Sequence, residues 1–175
     1  EPGRWSDAVT LGVPESQMGA VVAPEPLDAT RWRVTLLRPR AVDLAVEQHV
    51  VAVTAAGLTV TPGPRREPVV FPSVQRLLTC GAESVRYVAL LGAAEVAVLR
   101  IEGEQLRVAQ APMAGAWGTD PTLRCDAGRA LLVSDPPTMD ATTVVVTFPV
   151  GRDPSVETVA PLPYERGARL REVLL

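Results

Sequence analysis

Between Ser84 and Gln110 the apolar positions recur with the period of a β-strand. Val96 and Val98 alternate with Ala97 and Leu99, and the run closes on Ile101. The polar tetrapeptide Glu102-Gly103-Glu104-Gln105 interrupts it, and Leu106, Val108 and Gln110 then resume the period of two. Gly103 is free to take a positive φ, so the pattern predicts a β-hairpin with a four-residue loop. With Tyr87 to Leu91 ahead of it, the stretch supplies three consecutive strands at the middle of a core.

The same reading extends along the chain. Trp32, Val34 and Leu36 share one face of a strand that Pro39 ends, and Val42, Leu44 and Val46 alternate after it. Glu47-Gln48-His49 reads as a turn or bulge. Val50 to Thr54 and Leu58 to Thr61 form a second hairpin around Ala55-Ala56-Gly57, rich in the β-branched residues a pleated surface favours. Pro62 to Pro68 is an exposed loop. Ser73 caps a brief helix through Leu78, with Val74, Leu77 and Leu78 at i, i+3 and i+4 and Gly81 at its C′ position. Pro112 to Leu123 is a long Gly/Pro loop carrying Trp117. Ala130 to Ser134, Thr142 to Phe148 and Val156 to Val159 are further strands, and Glu165 to Leu175 fits either a helix or a last strand. The Val51-to-Pro62 hairpin echoes Val96 to Pro112, as any two alternating hairpins do.

The expectation is a mainly-β, single-domain antiparallel sandwich or jelly-roll-like barrel of eight to ten short strands, with one or two short helices. Residues 1–30, broken by Pro2, Pro14, Pro24 and Pro26, form an extended segment on its surface, and residues 31–175 form the domain.

Composition changes this picture in three ways. All 17 basic residues are Arg, Asn is missing, and Ile101 is the one Ile, as a GC-rich genome produces. The Arg residues are scattered and the net charge is −3, which argues against a nucleic-acid partner. Arg86, Glu95 and Arg100 break up the most apolar run, so no membrane span is expected. The chain begins at Glu1 without the pattern of a signal peptide, as a mature chain or an excised domain does. Cys80 and Cys125, 45 positions apart, permit one disulfide or two free, buried thiols; the disulfide is the preferred reading and leans the location toward an extracytoplasmic, secreted or virion-associated one.

Candidate chemistry is sparse. His49 is the lone His, so no His-rich metal site is expected, and Asp120, Asp126, Asp135, Asp140 and Asp153 read as turn residues rather than cation ligands. No cofactor motif appears. Leu77-Leu78-Thr79-Cys80 followed by Arg86 resembles the Thr-Leu-x-Thr-Cys strand and downstream Arg of the sortase transpeptidases. That resemblance implies a Cys80 nucleophile beside the imidazolium of His49, with Arg86 stabilising the oxyanion. The His–Cys interval is shorter than in that family. Ala41-Val42-Asp43-Leu44, then Thr143-Val144-Val145-Val146 and Arg166-Gly167-Ala168-Arg169-Leu170, are similar to motifs of the dUTPase fold. The Arg-Ser motif that holds phosphates is missing, so the resemblance implies a jelly roll without dUTPase activity, of the virus type. The residues themselves favour a third reading, a non-enzymatic binding or assembly protein. It recognises a protein partner or its own copies through loops, with Trp117 and Met113 in one loop and Arg65 and Arg66 in another.

Overall fold

The computed structural model describes residues 20–40, 42–64, 66–71, 74–82, 84–113, 117, 120–133 and 143–159, with the backbone alone for 20–23 and 159. Within the described residues every regular element is a strand, thirteen in all rather than eight to ten. The chain is organised as two compact units that divide at residue 72.

The first unit is one antiparallel sheet. Its strands are β1 (Ala20–Pro26), β2 (Arg31–Pro39), β3 (Asp43–Thr54), β4 (Gly57–Pro62) and β5 (Val69–Val70). The order is β1-β2-β3-β4, and β5 pairs with the start of β3. Pro24 is tolerated because β1 is an edge strand whose register shifts between Val22 and Glu25, where a bulge absorbs an extra residue. Asp28 makes the tight β1–β2 connection. Its carboxylate accepts the Thr30 N–H at 2.9 Å and the Arg31 Nε–H at 2.6 Å.

No turn interrupts β3. Pairing with β2 runs unbroken from Leu44 opposite Pro39 to Ala52 opposite Arg31, straight through Glu47-Gln48-His49. Three polar residues in a row suggested a turn. Here Gln48 is buried with its amide paired, while Glu47 and His49 lie on the opposite face of the strand.

The second unit is a sandwich of two four-stranded sheets. One holds β6 (Arg76–Ala82), β7 (Val85–Leu91), β8 (Glu95–Glu102) and β9 (Gln105–Pro112); the other holds β10 (Thr122–Cys125), β11 (Arg129–Val133), β12 (Thr143–Thr147) and β13 (Ser155–Val159). In both sheets each strand neighbours the next in sequence, so the described strands form two meanders and not the crossovers of a jelly roll. The helix expected after Ser73 is strand β6. Its Leu77 and Leu78 point to opposite faces, and Leu78 and Cys80 reach the core together. The end of the expected Gly/Pro loop is likewise the start of β10.

The core between these sheets comes from alternate residues. Val85, Tyr87, Ala89 and Leu91 of β7 meet Val96 and Val98 of β8, Ala130 and Leu132 of β11, Val144 and Val146 of β12, and Phe148. The intervening Val88, Leu90, Ala97, Leu99 and Ile101 are buried as well, so β7 and β8 show water neither face along these positions. That is why the sequence between Arg86 and Arg100 is so nearly continuous in its apolar character. The β8–β9 connection is tighter than expected, because Glu102 pairs with Gln105 and two residues close the loop. Gly103 has φ +55°, the positive value that tight hairpin turns demand at their first central position.

Candidate binding surfaces

In the first unit β4 pairs with His49 to Thr54 and β5 with Asp43 and Leu44, leaving a gap along the same side of β3. The chain between Pro62 and Pro68 crosses this gap and forms a pocket of about 320 Å³, lined by residues that include Arg40, Glu47, His49, Pro64 and Arg66. Gln48 anchors the loop. Its carbonyl accepts the Gly63 N–H at 2.7 Å, its Oε1 accepts Arg66 Nη2 at 2.8 Å, and its Nε2 donates to Thr35 Oγ1 at 3.3 Å. Gln48 is thus a buried side chain whose amide is used at both ends, as burial of a polar group requires. Gly63 approaches so closely that a Cβ there would lie 2.7 Å from the Gln48 carbonyl oxygen.

The charges around the pocket are ordered. Glu47 lies 3.2 Å from Arg38 and 3.7 Å from His49. Arg40 stands 3.8 Å from Asp43 with its side chain about half exposed. Neither ring nitrogen of His49 hydrogen-bonds to a described residue. The lining thus holds charges of both signs: Glu47, paired with Arg38; Arg40, beside Asp43; and Arg66, bound to Gln48.

The second unit places its expected residues differently. Cys80 of β6 and Cys125 of β10 form a disulfide, with Cα atoms 6.2 Å apart. A sulfur in a disulfide is no thiolate, so Cys80 offers no nucleophile while this bond is intact. His49 belongs to the first unit, and Arg86 donates to the Val85 carbonyl at 3.1 Å. Met113 is buried, and its N–H donates to the Ala94 carbonyl at 2.8 Å. Trp117 is half-buried against the core cluster, as are Leu78, Leu123 and both cysteines. Its loop therefore lends its aromatic ring to the sandwich. Arg65 lies outside the described residues, as do Arg166 to Leu170 and the tail expected as helix or strand. Both sides of β12 are occupied, by β11 and β13.

A second opening, about 730 Å³, lies at one end of the sandwich between the β8–β9 hairpin and the turn after Phe148. Arg107 of β9 holds that turn. It donates to the carbonyls of Pro149, at 2.8 Å, and Arg152, and its guanidinium carbon lies 5.7 Å from the centre of the Phe148 ring. Val150, at the tip, is 98% exposed. Nearby, Tyr87 packs 5.7 Å from Phe148 and stands opposite Arg100 in the ladder. Burial pushes the Tyr87 hydroxyl above its ordinary value, and the adjacent Arg100 offsets part of that rise. Arg100 itself is engaged by Glu102 at 2.7 Å and by the Ala127 carbonyl at 3.2 Å.

Among the described residues no cluster of three or more His, Cys, Asp or Glu is arranged to hold a metal, and no helix is long and apolar enough to cross a membrane. No family model, curated protein or solved structure matches the chain.

Sequence reasoning found Arg66 and the loop that carries it but missed Gln48, the residue that fixes them. The available signal was the strict alternation of Leu44, Val46, Gln48 and Val50, which continues β3 across the apparent turn. Arg107 gave no sequence signal, because its partners are main-chain carbonyls more than forty residues away.

Proposed function

We propose that the protein is a non-enzymatic binding module and that it captures an acidic segment of a protein partner at the Pro62–Pro68 loop. The observation that carries this reading is the pocket beside β3, where Arg66, held in place by buried Gln48, lines a side-chain-sized cavity together with Arg40 and Glu47. A guanidinium fixed in advance binds a carboxylate with little further loss of side-chain freedom. The loop stands on a paired sheet, the arrangement in which loops most often carry recognition. The reading rests on Arg66; Met113 is buried and Trp117 is half-buried against the core cluster of the second unit.

A displayed random-peptide library selected on the immobilised full chain tests it. Enrichment of peptides rich in Asp and Glu, abolished when the same selection is run on Arg66→Ala, supports the proposal. Enrichment of sequences without acidic residues, or equal enrichment on Arg66→Ala, contradicts it.

A further inference from the structure

Exposed strand edges carry unpaired N–H and C=O groups, and folded chains protect them with charges, prolines, bulges or short length. The described edges follow that rule with one exception. β1 has its bulge and Pro24 and Pro26, and β5 is two residues long. The edges of the two sheets in the sandwich lie beside one another, β6 with β10 and β9 with β13, and the first pair is locked by the disulfide. β4 has none of these protections before Pro62. From Val50 to Pro64 the chain carries no charged residue, and Leu58-Thr59-Val60-Thr61 is an alternating, β-branched segment with Thr59 and Thr61 exposed.

The direction of the free groups follows from the register. Two residues, Ala55 and Ala56, close the β3–β4 hairpin on Thr54 opposite Gly57. That pair, Ala52 with Thr59, and Val50 with Thr61 exchange the ladder hydrogen bonds. The Val53 N–H accordingly points the other way and donates to the Thr30 carbonyl at 2.8 Å. By the same alternation the N–H and C=O groups of Leu58 and Val60 point away from β3. Beside them, Val53 is 48% exposed on the face that also carries Val51, Leu58 and Val60.

We infer that β4 pairs antiparallel with β4 of a second copy of this chain, about a two-fold axis through Thr59. An antiparallel edge is its own complement under a two-fold rotation, so Leu58 of each copy exchanges hydrogen bonds with Val60 of the other. Thr59 then faces Thr59 of the other copy, a favourable cross-strand pair. With no charge on the strand, nothing repels the second copy. The two sheets become one continuous sheet, and the half-exposed apolar face of each hairpin extends onto the other. A charged ligand or an acidic peptide would find no complement on this uncharged edge, so the occupant differs in kind from that of the Arg66 pocket. The two proposals fail separately, since one is read by oligomeric state and the other by peptide selection.

Sedimentation equilibrium of the full chain tests it. The wild-type chain is expected to be a dimer. Thr59→Lys and Thr59→Glu each place like charges across the axis and shift the chain to monomer, and an equimolar mixture of the two recovers a one-to-one heterodimer. Val60→Pro removes an N–H that the fold itself does not use and also gives a folded monomer, with a far-ultraviolet spectrum like that of the parent. A wild-type chain that stays monomeric at every soluble concentration overturns the inference. So does a dimer that Thr59→Lys, Thr59→Glu and Val60→Pro leave equally tight.

Discussion

Cys80 and Cys125 join the edge strands of two different sheets, β6 and β10, at a Cα separation of 6.2 Å. The bond closes a loop of 45 residues that contains all of β7, β8 and β9. Because it ties the sheets at one open side of the sandwich, it limits how far they can separate when the chain unfolds. The chain-entropy account assigns a loop of this size about 4 kcal/mol. Reduction, or the double variant Cys80→Ser with Cys125→Ser, is therefore expected to lower stability by about that amount. Urea unfolding with and without reductant measures it, and a thiol count on the denatured, unreduced chain should find no free thiol.

Arg107 closes the other side of the same sandwich. It reaches two carbonyls of the Pro149-to-Arg152 turn while lying against the Phe148 ring. Arg107→Ala removes both donors and the stacked plane, and is expected to cost about 1–3 kcal/mol. Arg107→Lys restores little, since an ammonium offers neither the fork nor the plane. Hydrogen exchange should speed up at residues 150–153 in both variants while the centre of β8 keeps its protection.

Two connections use the same chemistry at matching positions. Asp28-Ala29-Thr30-Arg31 and Asp126-Ala127-Gly128-Arg129 each place a carboxylate on the main-chain N–H two residues later, Asp126 on the next one as well, and on the side chain of the Arg three residues later. The Thr30 N–H, with help from Arg31, lowers the Asp28 carboxyl to about 2. At Asp126 burial acts upward, but the Gly128 and Arg129 N–H groups and the Arg129 guanidinium outweigh it and lower the value. A depressed carboxyl stabilises the fold above the unfolded value and loses that contribution as pH falls toward the folded one. Stability should therefore decline on acidification below about pH 4. Asp28→Asn and Asp126→Asn keep an acceptor oxygen but no charge, so their deficit in melting temperature relative to the parent should shrink across that interval. Thermal unfolding measured from neutral pH to about pH 2 follows it.

Gly63 sits where a side chain has no room, with the Gln48 carbonyl in the way. Gly63→Ala must displace the loop from β3, at about 1–3 kcal/mol of stability. The prediction is specific to this contact. Gly57→Ala meets open space but is strained by its φ of +116°, so it should destabilise the fold without changing what the Arg66 loop captures. Comparing the two by melting temperature and by binding of a selected acidic peptide separates strain from loop position.

Periodicity carried most of the fold. The strands β2, β4, β7, β8, β9, β11 and β12 follow from alternation or from β-branched runs, because each buries a side of the chain that repeats every second residue. The misreadings share a cause. Leu77 and Leu78 satisfy helical spacing as well as a strand with both faces in contact, and only pairing with β7 decides between them. Glu47-Gln48-His49 looks like a turn until the partners of Gln48 are known. The pairing of Cys80 with Cys125 was readable from an even count. The packing of Trp117 against the core was not, since a loop tryptophan reads equally well as a lid or as an anchor. Arg66 was visible as a loop residue, but its pocket depends on the gap between β4 and β5, which no local pattern encodes.

The most direct test of the binding proposal is the affinity of one selected acidic peptide for the parent chain and for Arg66→Ala, measured by titration calorimetry. Loss of a charge-assisted hydrogen bond to a pre-positioned guanidinium predicts binding at least about tenfold weaker in the variant, and the Gln48 Oε1 that loses its donor is expected to cost about 1–3 kcal/mol of stability. Equal affinities for the two chains would contradict the account and take the site away from the Pro62–Pro68 loop.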